Sequence, residues 1–482
     1  MSRATVTIVS NQNHSIRSAI VITGPPVSSI PLYDQILRAA KNKLRLKKPT
    51  AIFTMSGEEV SPSSLLSLTL LEATYHIASG EPFIGSHHSS TASTAPALVT
   101  VLAAQSAIAP DAYTQLKGCS HLPGMAHCFG MPDLHPGGKT PIGAVFQTTG
   151  RLYPDLIGGD IGCGMTVFRT RLTKEQVEGK KAERLAGMLT KQTMECGMEG
   201  RRKVKEEIKR LCLGDPNDLF EDVDQWDDML GSIGSGNHFA ELQLVSHLAS
   251  ATQDDLTQDE VVLVVHSGSR QFGQDILRRY PKPLAFPSAE ASVYLKLHDL
   301  GLAWARANRL AIAFLFFSAV EGPISVSDLV ARRLLDLTHN YVRQEDPTTG
   351  QASASDTLSH RKGATCGVSS PLAIIPGSRG TLTAYVRPTS TVRSGHSLAH
   401  GAGRSASRKV TSQKMAERYV DSRLLERTDL GGIVICEDKS LIYEEAPEGY
   451  KDVGAVVADL VEAGECEILA WAVPRISYKV RR

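Results

Sequence analysis

The sequence lacks the features that mark several specialised classes of protein. None of its eight cysteines forms a Cys-x-x-Cys pair, which argues against a closed structural zinc site. Unpaired cysteines and the absence of a signal peptide after Met1-Ser2-Arg3 favour a reducing compartment, the cytosol or the nucleus. The longest apolar stretches, such as Leu310–Val320, are shorter than the roughly twenty residues of a membrane span, so we expect no membrane association.

Charge of one sign is also not in excess. The 52 Lys and Arg residues nearly balance the 51 Asp and Glu residues, so any nucleic acid must bind to a local basic surface. Two helical patterns carry such clusters, although either is also compatible with an ordinary solvated helix face. The basic side chains of the two clusters are Arg201, Arg202, Lys203, Lys205 and Arg210 in the first, and Arg404, Arg408 and Lys409 in the second.

The stretch LAHGAGR, residues 398–404, is the most informative part of the sequence. Its small residues Gly401, Ala402 and Gly403 would let a bulky phosphoryl group reach the imidazole of His400. The planar guanidinium of Arg404 is suited to binding phosphate oxygens. A histidine in a glycine-rich loop is more often a turn or core residue, so a role as nucleophile depends on the rest of the chain.

Other glycine-, serine- or asparagine-rich segments each offer a metal ligand. Asp160 and Cys163 are three residues apart in the turn GDIGCG, where a carboxylate and a thiolate could face one centre. His238 and His266 lie beside short apolar runs that predict buried strands, and His339 lies near the polar end of a predicted helix. Each residue alone is commonly structural. Together, the mixed oxygen, sulfur and nitrogen donors predict an open, catalytic metal site.

The N-terminal part of the chain has a different character. A predicted ββαβ order indicates a β-grasp module, and TYHIASGEPF (74–83) resembles the closing strand of doublecortin-like domains, a ubiquitin-like fold. We predict this module over residues 1–86, a linker over 87–95 and an α+β catalytic domain of mixed sheets and helices over 96–482. The predicted N-terminal elements are strands at 4–10, 16–23 and 51–55 and a helix at 32–46. The predicted catalytic helices span 174–189, 204–213, 294–317 and 326–343.

From about Leu98 to the C-terminus, ordered motifs resemble the RtcB family of GTP-dependent RNA ligases. These motifs are MPDLHPG (131–137), GDIGCG (159–164), GNHFAE (236–241), HSGSR (266–270), HRKGA (360–364), PGS (376–378), HGAGR (400–404), and EEAP with YKD (444–447 and 450–452). Any one motif would be a weak signal, but the whole set in this order is specific.

The resemblance implies a manganese enzyme that joins an RNA 3′-phosphate or 2′,3′-cyclic phosphate end to a 5′-hydroxyl end, as in tRNA splicing or RNA repair. His400 would attack the α-phosphate of GTP and form a histidine-linked GMP. Of two Mn²⁺ ions, one would be bound by Cys163, His238 and His266. The other would be bound by Asp160, Cys163 and His339, so that the thiolate bridges the pair.

The resemblance also assigns the residues that hold the nucleotide. Asn237 would contact phosphate oxygens, Arg404 would hold a phosphate near the nucleophile, and Glu241 and Lys479 would read the guanine edge. A carboxylate that accepts from guanine N1 and N2 explains a preference for GTP over ATP. Asp133 and His135, which lie in a Pro/Gly turn, would form part of the site wall, and Asp133 is counted with His400 and Arg404 among the catalytic residues. The remaining nucleotide contacts would come from Ser378 and from the loop residues Gly401, Ala402 and Gly403.

Departures from the family pattern keep two alternatives open. Arg379 stands where many members carry methionine, and the loop 377–385 is one residue longer before its tyrosine. These differences are compatible with a metal-dependent RNA phosphoesterase or nucleotidyltransferase that does not ligate, whereas a non-catalytic RNA-binding scaffold would not need the ligand set. On ligand grounds alone, zinc or cobalt would also fit the site. An activating protein and a protein partner of the N-terminal module remain unidentified by the sequence.

Overall fold

The computed structural model of this chain describes residues 3–11, 16–23, 30–54, 59–62, 74–81, 83, 96–195, 198–213, 223–249, 256–389 and 391–479. The chain forms two compact units, Met1–Ala92 and Ser93–Arg482. The predicted linker, 87–95, lies outside the described residues.

In the described part of the N-terminal unit, four strands form a sheet and one α-helix packs with them. Its strands are β1 (Arg3–Ser10), β2 (Arg17–Thr23), β3 (Ala51–Phe53) and β4 (Thr74–Ala78), and its helix is α1 (Leu32–Lys43). The strand order is β2-β1-β4-β3, with β1 parallel to β4 and the other pairs antiparallel. Helix α1 buries Leu32, Ile36 and Ala40, which the four-residue spacing places on one face. The relation to doublecortin-like or ubiquitin-like domains stays a prediction.

Most elements of the second unit are strands. They are β5 (Leu98–Val101), β6 (Met125–His135), β7 (Ile142–Thr149), β8 (Arg151–Leu152), β9 (Gly164–Arg169), β10 (Phe239–Leu248), β11 (Val261–Ser267), β12 (Leu284–Ala285), β13 (Arg333–Thr338), β14 (Asn340–Gln344), β15 (Thr357–Lys362), β16 (Ala364–Cys366), β17 (Ala373–Pro376), β18 (Thr383–Pro388), β19 (Ser397–Ala399), β20 (Ile433–Ile435) and β21 (Cys466–Tyr478).

Helices of the second unit lie between these strands. They are α2 (Pro110–Cys119), α3 (Pro154–Ile157), α4 (Gly179–Glu195), α5 (Met198–Leu213), α6 (Gln271–Arg279), α7 (Ala289–Val320), α8 (Val326–Ala331), α9 (Arg408–Arg418), α10 (Lys439–Glu444) and α11 (Val453–Glu462). Short 3₁₀ helices span Lys174–Gln176, Val223–Met229, Val392–Ser394, Ser422–Glu426 and Pro447–Gly449. The mixture of strands and helices confirms the predicted α+β class.

Two large sheets organise this unit. One has eight strands in the order β13-β9-β11-β10-β21-β18-β17 with β20 beside β21, and the other has the order β14-β15-β7-β6-β5. Strand β11 is buried on both faces. Leu263 and Val265 belong to the core that includes the helices, while Val262 and Val264 belong to a second core shared with β6 and β7. This double burial explains why β11 is a continuous apolar run rather than an alternating one.

The 32-residue helix α7 contributes many of the buried side chains of one of these cores. Trp304 and Phe317 are fully buried on it. By length and composition alone this helix could also span a membrane. However, 72% of its apolar 18-residue segment is buried inside the molecule. A mostly buried helix of this kind is typical of a protein core.

The predicted helix 326–343 is wrong beyond its first turns. Helix α8 ends at Ala331, and the chain continues as β13 and β14. In β13, Leu335 and Leu337 are buried while Leu334, Asp336 and Thr338 are only partly buried, which is the two-residue period of a strand. The adjacent Leu334 gave the segment an apparent helical pattern. The other predicted helices are present, although α4 begins at Gly179 after a 3₁₀ turn and α5 and α7 begin earlier than predicted.

Replacing Phe317 tests the core around α7. The side chain is fully buried and meets Phe168 edge to face, with 6.1 Å between ring centroids. Phe317→Ala should lower the free energy of unfolding by about 3–5 kcal/mol because it leaves a cavity. Denaturant unfolding of the variant measures this loss. Val293→Ala on the same helix, where the side chain is 46% exposed, should change stability by less than about 0.5 kcal/mol; equal losses would contradict this assignment of the core.

Candidate metal centre and nucleotide cavity

Strand register brings the predicted metal ligands to one end of the eight-stranded sheet. Gly164, which follows Cys163, pairs with Ser267 on β11 and with Thr338 on β13. Phe239, which follows His238, lies opposite His266. Segments that are far apart in the sequence therefore present neighbouring side chains. The reason is that the ligands lie at or near strand ends that pair side by side.

All five predicted ligands meet there. Cys163 Sγ lies 3.3 Å from His238 Nε2 and 3.4 Å from His266 Nε2. Asp160 Oδ2 is 3.0 Å from His238 Nε2, and the Nε2 atoms of His266 and His339 are 3.3 Å apart. The donor atoms of Cys163, His238 and His266 all lie within 4.8 Å of one another. Soft sulfur, imidazole nitrogen and carboxylate oxygen together fit a divalent transition-metal ion.

The histidine at the centre of this cluster is oriented by the backbone. His238 Nδ1 is 3.1 Å from the carbonyl oxygen of Ile233. That carbonyl can only accept, so Nδ1 donates to it, and Nε2 is the ring atom that faces Cys163 and Asp160. Such a backbone contact is the usual way to orient a histidine ligand.

Burial sets the protonation of the cluster. It raises the pKa of the Cys163 thiol well above its ordinary value, and the nearby Asp160 carboxylate adds to this effect. Burial and neighbouring charged forms of imidazole hold the pKa values of His266 and His339 well below the ordinary value. Both rings are therefore neutral and able to bind a metal. The thiol requires a cation to release its proton, which couples metal binding to deprotonation.

Two polar residues of the apolar helix α7 fix the loops that carry the ligands. Arg309 Nη1 donates to the carbonyl oxygens of Gly162, at 2.8 Å, and Ser267, at 3.0 Å. Asn308 Nδ2 donates to Ser267 Oγ at 3.1 Å and to the carbonyl oxygen of Gly268 at 3.2 Å. The ligand turn and the end of β11 are thus tied to the same helix.

Close packing explains the glycines of the ligand turns. Gly162 has φ +76°, and a Cβ atom there would lie 2.7 Å from the Cβ of Ala305 on α7. A Cβ at Gly268 would lie 2.3 Å from Asp160 Oδ1. Side chains at either position would displace a ligand-bearing segment.

The predicted nucleophile stands next to the metal centre. His400 follows β19, and its ring centroid is 4.7 Å from that of His339. His400 Nδ1 lies 2.7 Å from Asp133 Oδ2, and Asp133 is completely buried. A Cβ at Gly403 would lie 2.2 Å from the carbonyl oxygen of Asp133, so this glycine permits the close approach of the two loops. Asp133 is therefore the partner of His400 and not only part of the site wall.

Lys451 holds the segment that carries Asp133. Its Nζ donates to the carbonyl oxygens of Pro132, at 2.9 Å, and Leu134, at 2.7 Å. Burial lowers the pKa of Lys451 to about 8. His135 Nδ1 contacts the carbonyl oxygen of Asp133 at 2.8 Å. The backbone on both sides of the carboxylate is consequently fixed by hydrogen bonds.

A cavity opens beside His400. Its wall contains every residue that the sequence predicts to contact the nucleotide, together with aromatic and charged residues that the prediction missed. The predicted lining residues are Asn237, Glu241, Ser378, His400, Gly401, Ala402, Gly403, Arg404 and Lys479, and the principal additional ones are Phe239, Arg379, Arg408, Glu445 and Tyr450.

One end of this cavity presents a buried carboxylate. Glu241 accepts from Gln243 Nε2 at 2.8 Å and from Ser477 Oγ. Burial raises the pKa of Glu241 above its ordinary value. Nearby, Lys479 Nζ donates to the carbonyl oxygen of His238 at 3.0 Å and lies 5.7 Å from the centroid of the Phe239 ring. A carboxylate beside a cation suits the recognition of a base edge that has both donors and acceptors.

Arg404 is bound within the cavity wall. Its Nη1 lies 3.2 Å from Glu445 Oε1, its Nη2 donates to the carbonyl oxygen of Glu444 at 2.9 Å, and its guanidinium lies 5.0 Å from the centroid of the Tyr450 ring. Arg408 Nε also contacts Glu445 Oε1, at 3.1 Å. Glu445 thus fixes both arginines. A direct contact of Arg404 with a phosphate stays a prediction.

Comparison with known proteins identifies the family of this chain. Residues 115–480 match the family described as tRNA-splicing ligase RtcB. This chain belongs to the RtcB family. It is 38% identical over 361 residues to an RNA-splicing ligase RtcB2 from Escherichia coli, covering 73% of this chain and 88% of that protein. It is 28% identical over 418 residues to the tRNA-splicing ligase RtcB of Methanococcus maripaludis, covering 71% and 86% respectively. The RNA-splicing ligase RtcB of Escherichia coli K12 is 28% identical over 396 residues, covering 73% and 91%.

Some residues that shape this RtcB-family site were missed by sequence reasoning. Asn308 and Arg309 had a detectable signal, since an amide and a guanidinium interrupt the buried face of an apolar helix. Lys451 and Glu445 belong to motifs that carried the resemblance, but nothing in their spacing indicates which backbone groups or cations they contact. Phe239 lies between two predicted site residues in the same motif, but the resemblance assigned it no role.

Removal of the Cys163 thiol tests the metal centre. In this RtcB-family protein, Cys163→Ala removes a sulfur atom that lies against both His238 and His266. We expect the affinity for a divalent transition-metal ion to fall by more than the roughly 10- to 100-fold that follows loss of an outer partner of a ligand. Isothermal titration and metal analysis of the purified protein measure the loss. Cys212→Ala, on α5, should retain wild-type binding; unchanged affinity in Cys163→Ala would refute this assignment.

Proposed function

We propose that this protein is a GTP- and Mn²⁺-dependent RNA ligase. It joins RNA ends that carry a 3′-phosphate or a 2′,3′-cyclic phosphate to ends that carry a 5′-hydroxyl, and it acts through a covalent histidine-GMP. The observation that carries the proposal is the pair of His400 and Asp133, which stands beside a metal-ligand cluster and a cavity lined by the residues predicted to hold the nucleotide.

The hydrogen bond between His400 and Asp133 gives the imidazole the form that a nucleophile requires. The carboxylate accepts the proton of Nδ1, so Nε2 has a free lone pair. The glycine and alanine residues that follow His400 leave no large side chain between this nitrogen and an incoming phosphate. A buried carboxylate also stabilises the positive charge that the ring acquires during attack.

Three transfers complete the reaction. In the first, the lone pair of His400 Nε2 forms a bond to the α-phosphorus of GTP, and the bond to the β-phosphate oxygen breaks to release pyrophosphate. In the second, an oxygen of the RNA 3′-phosphate attacks the same phosphorus, and the nitrogen–phosphorus bond breaks. In the third, the 5′-hydroxyl oxygen attacks the RNA 3′-phosphorus, loses its proton and displaces GMP. A cyclic phosphate must first be opened by water.

Asp160, Cys163, His238, His266 and His339 are the residues that would hold two Mn²⁺ ions. Bound there, the ions supply positive charge to the triphosphate and the leaving group. The donor set fits them because both neutral imidazoles and a carboxylate converge on a thiol that requires a cation for its deprotonation.

We assign guanine recognition to the part of the cavity that contains Glu241. The Glu241 carboxylate can accept from N1 and N2 of guanine, a donor pair that adenine lacks. The rings of Phe239 and Tyr450 line the same cavity and offer apolar faces to a base. Ser378 and Lys479 complete the proposed contacts.

RNA is the proposed substrate because the similar proteins are named RNA-splicing and tRNA-splicing ligases. A second cavity, which His238 lines, adjoins the metal cluster and shares Asn237 and Arg408 with the first. It also contains Asp160 and Arg270, so an RNA end placed there would lie beside the metal ligands. The phosphoesterase and scaffold alternatives are not favoured, and the cytosol or nucleus remains the proposed location.

Covalent labelling with α-labelled GTP tests the proposed nucleophile. We expect wild-type protein with Mn²⁺ to retain label on a denaturing gel and His400→Ala to retain none. Asp133→Asn should react about 10⁴-fold more slowly, because an amide at this position would no longer hold the reactive tautomer of the histidine. The exposed His121 provides a matched control, and His121→Ala should label normally.

Label that survives in His400→Ala would move the nucleophile to another residue. Equal competition by unlabelled ATP would contradict guanine recognition by Glu241. Absence of label in metal-loaded wild-type protein would remove the guanylylation step altogether.

Joining of RNA ends tests the rest of the reaction. Wild-type protein with GTP and Mn²⁺ should convert an oligonucleotide with a 3′-phosphate and one with a 5′-hydroxyl into a single longer product, seen by gel electrophoresis. Cys163→Ala and His400→Ala should form none, and Cys212→Ala should form the normal amount. Removal of the 3′-phosphate without joining would instead indicate phosphoesterase activity.

A further inference from the structure

Arg379 is an incompletely satisfied cation in the wall of the nucleotide cavity. Its side chain is buried, with 6% exposure. Its Nη2 donates to the carbonyl oxygen of Ile442 at 2.8 Å. Its Nη1 is buried and has no hydrogen-bond partner in the part of the chain that the structure describes. Buried charged donors are normally paired, so the acceptor for Nη1 is expected from a ligand.

The nearest carboxylates are already engaged elsewhere. Glu445 accepts from Arg404, Arg408 and Tyr450, and Glu448 lies 3.3 Å from Arg418. Neither of these carboxylates has an ion pair with Arg379 among the described residues. The cavity, which Arg379 lines, is the remaining source of an acceptor.

The loop that carries Arg379 is held in place. Thr381 Oγ1 accepts from the backbone N–H of Ser378 at 2.6 Å, and the N–H of Gly377 donates to the carbonyl oxygen of Leu382 at 3.0 Å. A Cβ at Gly380 would lie 2.7 Å from Pro447 Cγ, so the loop packs closely against that residue. With Nη2 also anchored, the direction of Nη1 is set before a ligand binds.

The position of Arg379 identifies the part of the nucleotide that it meets. Gln243, which donates to Glu241 at 2.8 Å, also donates at 2.9 Å to Oγ1 of Thr383, just after the loop that carries Arg379. Arg379 and Glu241 therefore line neighbouring parts of the cavity. If Glu241 takes N1 and N2 of guanine, O6 and N7 are the acceptors that remain for Lys479 and Arg379, and they are the pair that arginine commonly reads.

We propose that Arg379 donates from Nη1 to the O6/N7 edge of guanine and is a second determinant of GTP specificity. The proposal rests on the proposed function, since it places GTP in this cavity with Glu241 on the opposite base edge. Adenine presents an amino group where guanine has O6, so a guanidinium donor there would reject ATP independently of Glu241.

Nucleotide analogues test this contact in the full-length protein. The assay is covalent labelling of His400 by GTP, by 7-deaza-GTP, which has carbon in place of N7, and by 6-thio-GTP, which has a weak acceptor in place of O6. Wild-type protein should use GTP about tenfold more efficiently than at least one analogue, as expected for one lost hydrogen bond. Arg379→Met should raise the KM for GTP about tenfold and use all three nucleotides equally, and Arg379→Lys should lie between.

Each result either supports or overturns the proposal. Wild-type protein that uses both analogues as well as GTP would overturn it without any variant. Loss of labelling by the same factor for all three nucleotides in Arg379→Met would also overturn it, by indicating a phosphate contact or a structural role. Arg387→Met changes an exposed arginine paired with Glu467 and should leave every ratio unchanged. Wild-type protein that no nucleotide labels, GTP included, would instead refute the proposed function.

Discussion

The geometry of the whole site depends on one buried guanidinium. Arg309 is fully buried in α7, where it pairs with Asp336 on β13 at 2.6 Å and donates to the carbonyl oxygens of Gly162 and Ser267. These contacts reach three of the segments that supply metal ligands. Removing one partner of such a pair would leave a buried charge, which is far more costly than the pair itself is stabilising. The interaction therefore specifies the position of the loops more than it stabilises the fold.

Sheet topology then determines where chemistry can occur. Strands β9, β10, β11 and β13 pair side by side, so the ends that lead to the metal ligands lie in one row. Side chains at such ends can turn toward a common point while the strands stay rigid. His400 and Asp133 reach the same point from β19 and β6, which belong to other sheets. The site is accordingly formed where separate sheets meet and is fixed from several sides.

The sequence predicted which residues cluster at the candidate metal site, but it predicted less well the strands and contacts that hold them in place. Asp160, Cys163, His238, His266 and His339 were identifiable because each is a metal-binding residue type, most of them in a small-residue turn, and the structure brings all five together. The strand that leads to His339 was predicted as a helix, since consecutive leucines hide a two-residue period. The bond between His400 and Asp133 joins positions 267 residues apart, and no local pattern encodes such a contact. Contacts of this kind arise from tertiary packing alone.

The charges in the cavity explain how one site can bind a polyanion and still select a base. Among the described residues, Arg379, Arg404, Arg408 and Lys479 line it against two carboxylates, Glu241 and Glu445, which leaves two positive charges for the proposed triphosphate. Glu445 lies between Arg404 and Arg408 and restrains both, so these cations cannot collapse onto Glu241. Glu241 is instead held by the neutral donors Gln243 and Ser477. A carboxylate with neutral partners keeps lone pairs for a base, whereas one bound by arginine would not. Phosphate affinity and base selection are thus separated by giving the two acids different partners.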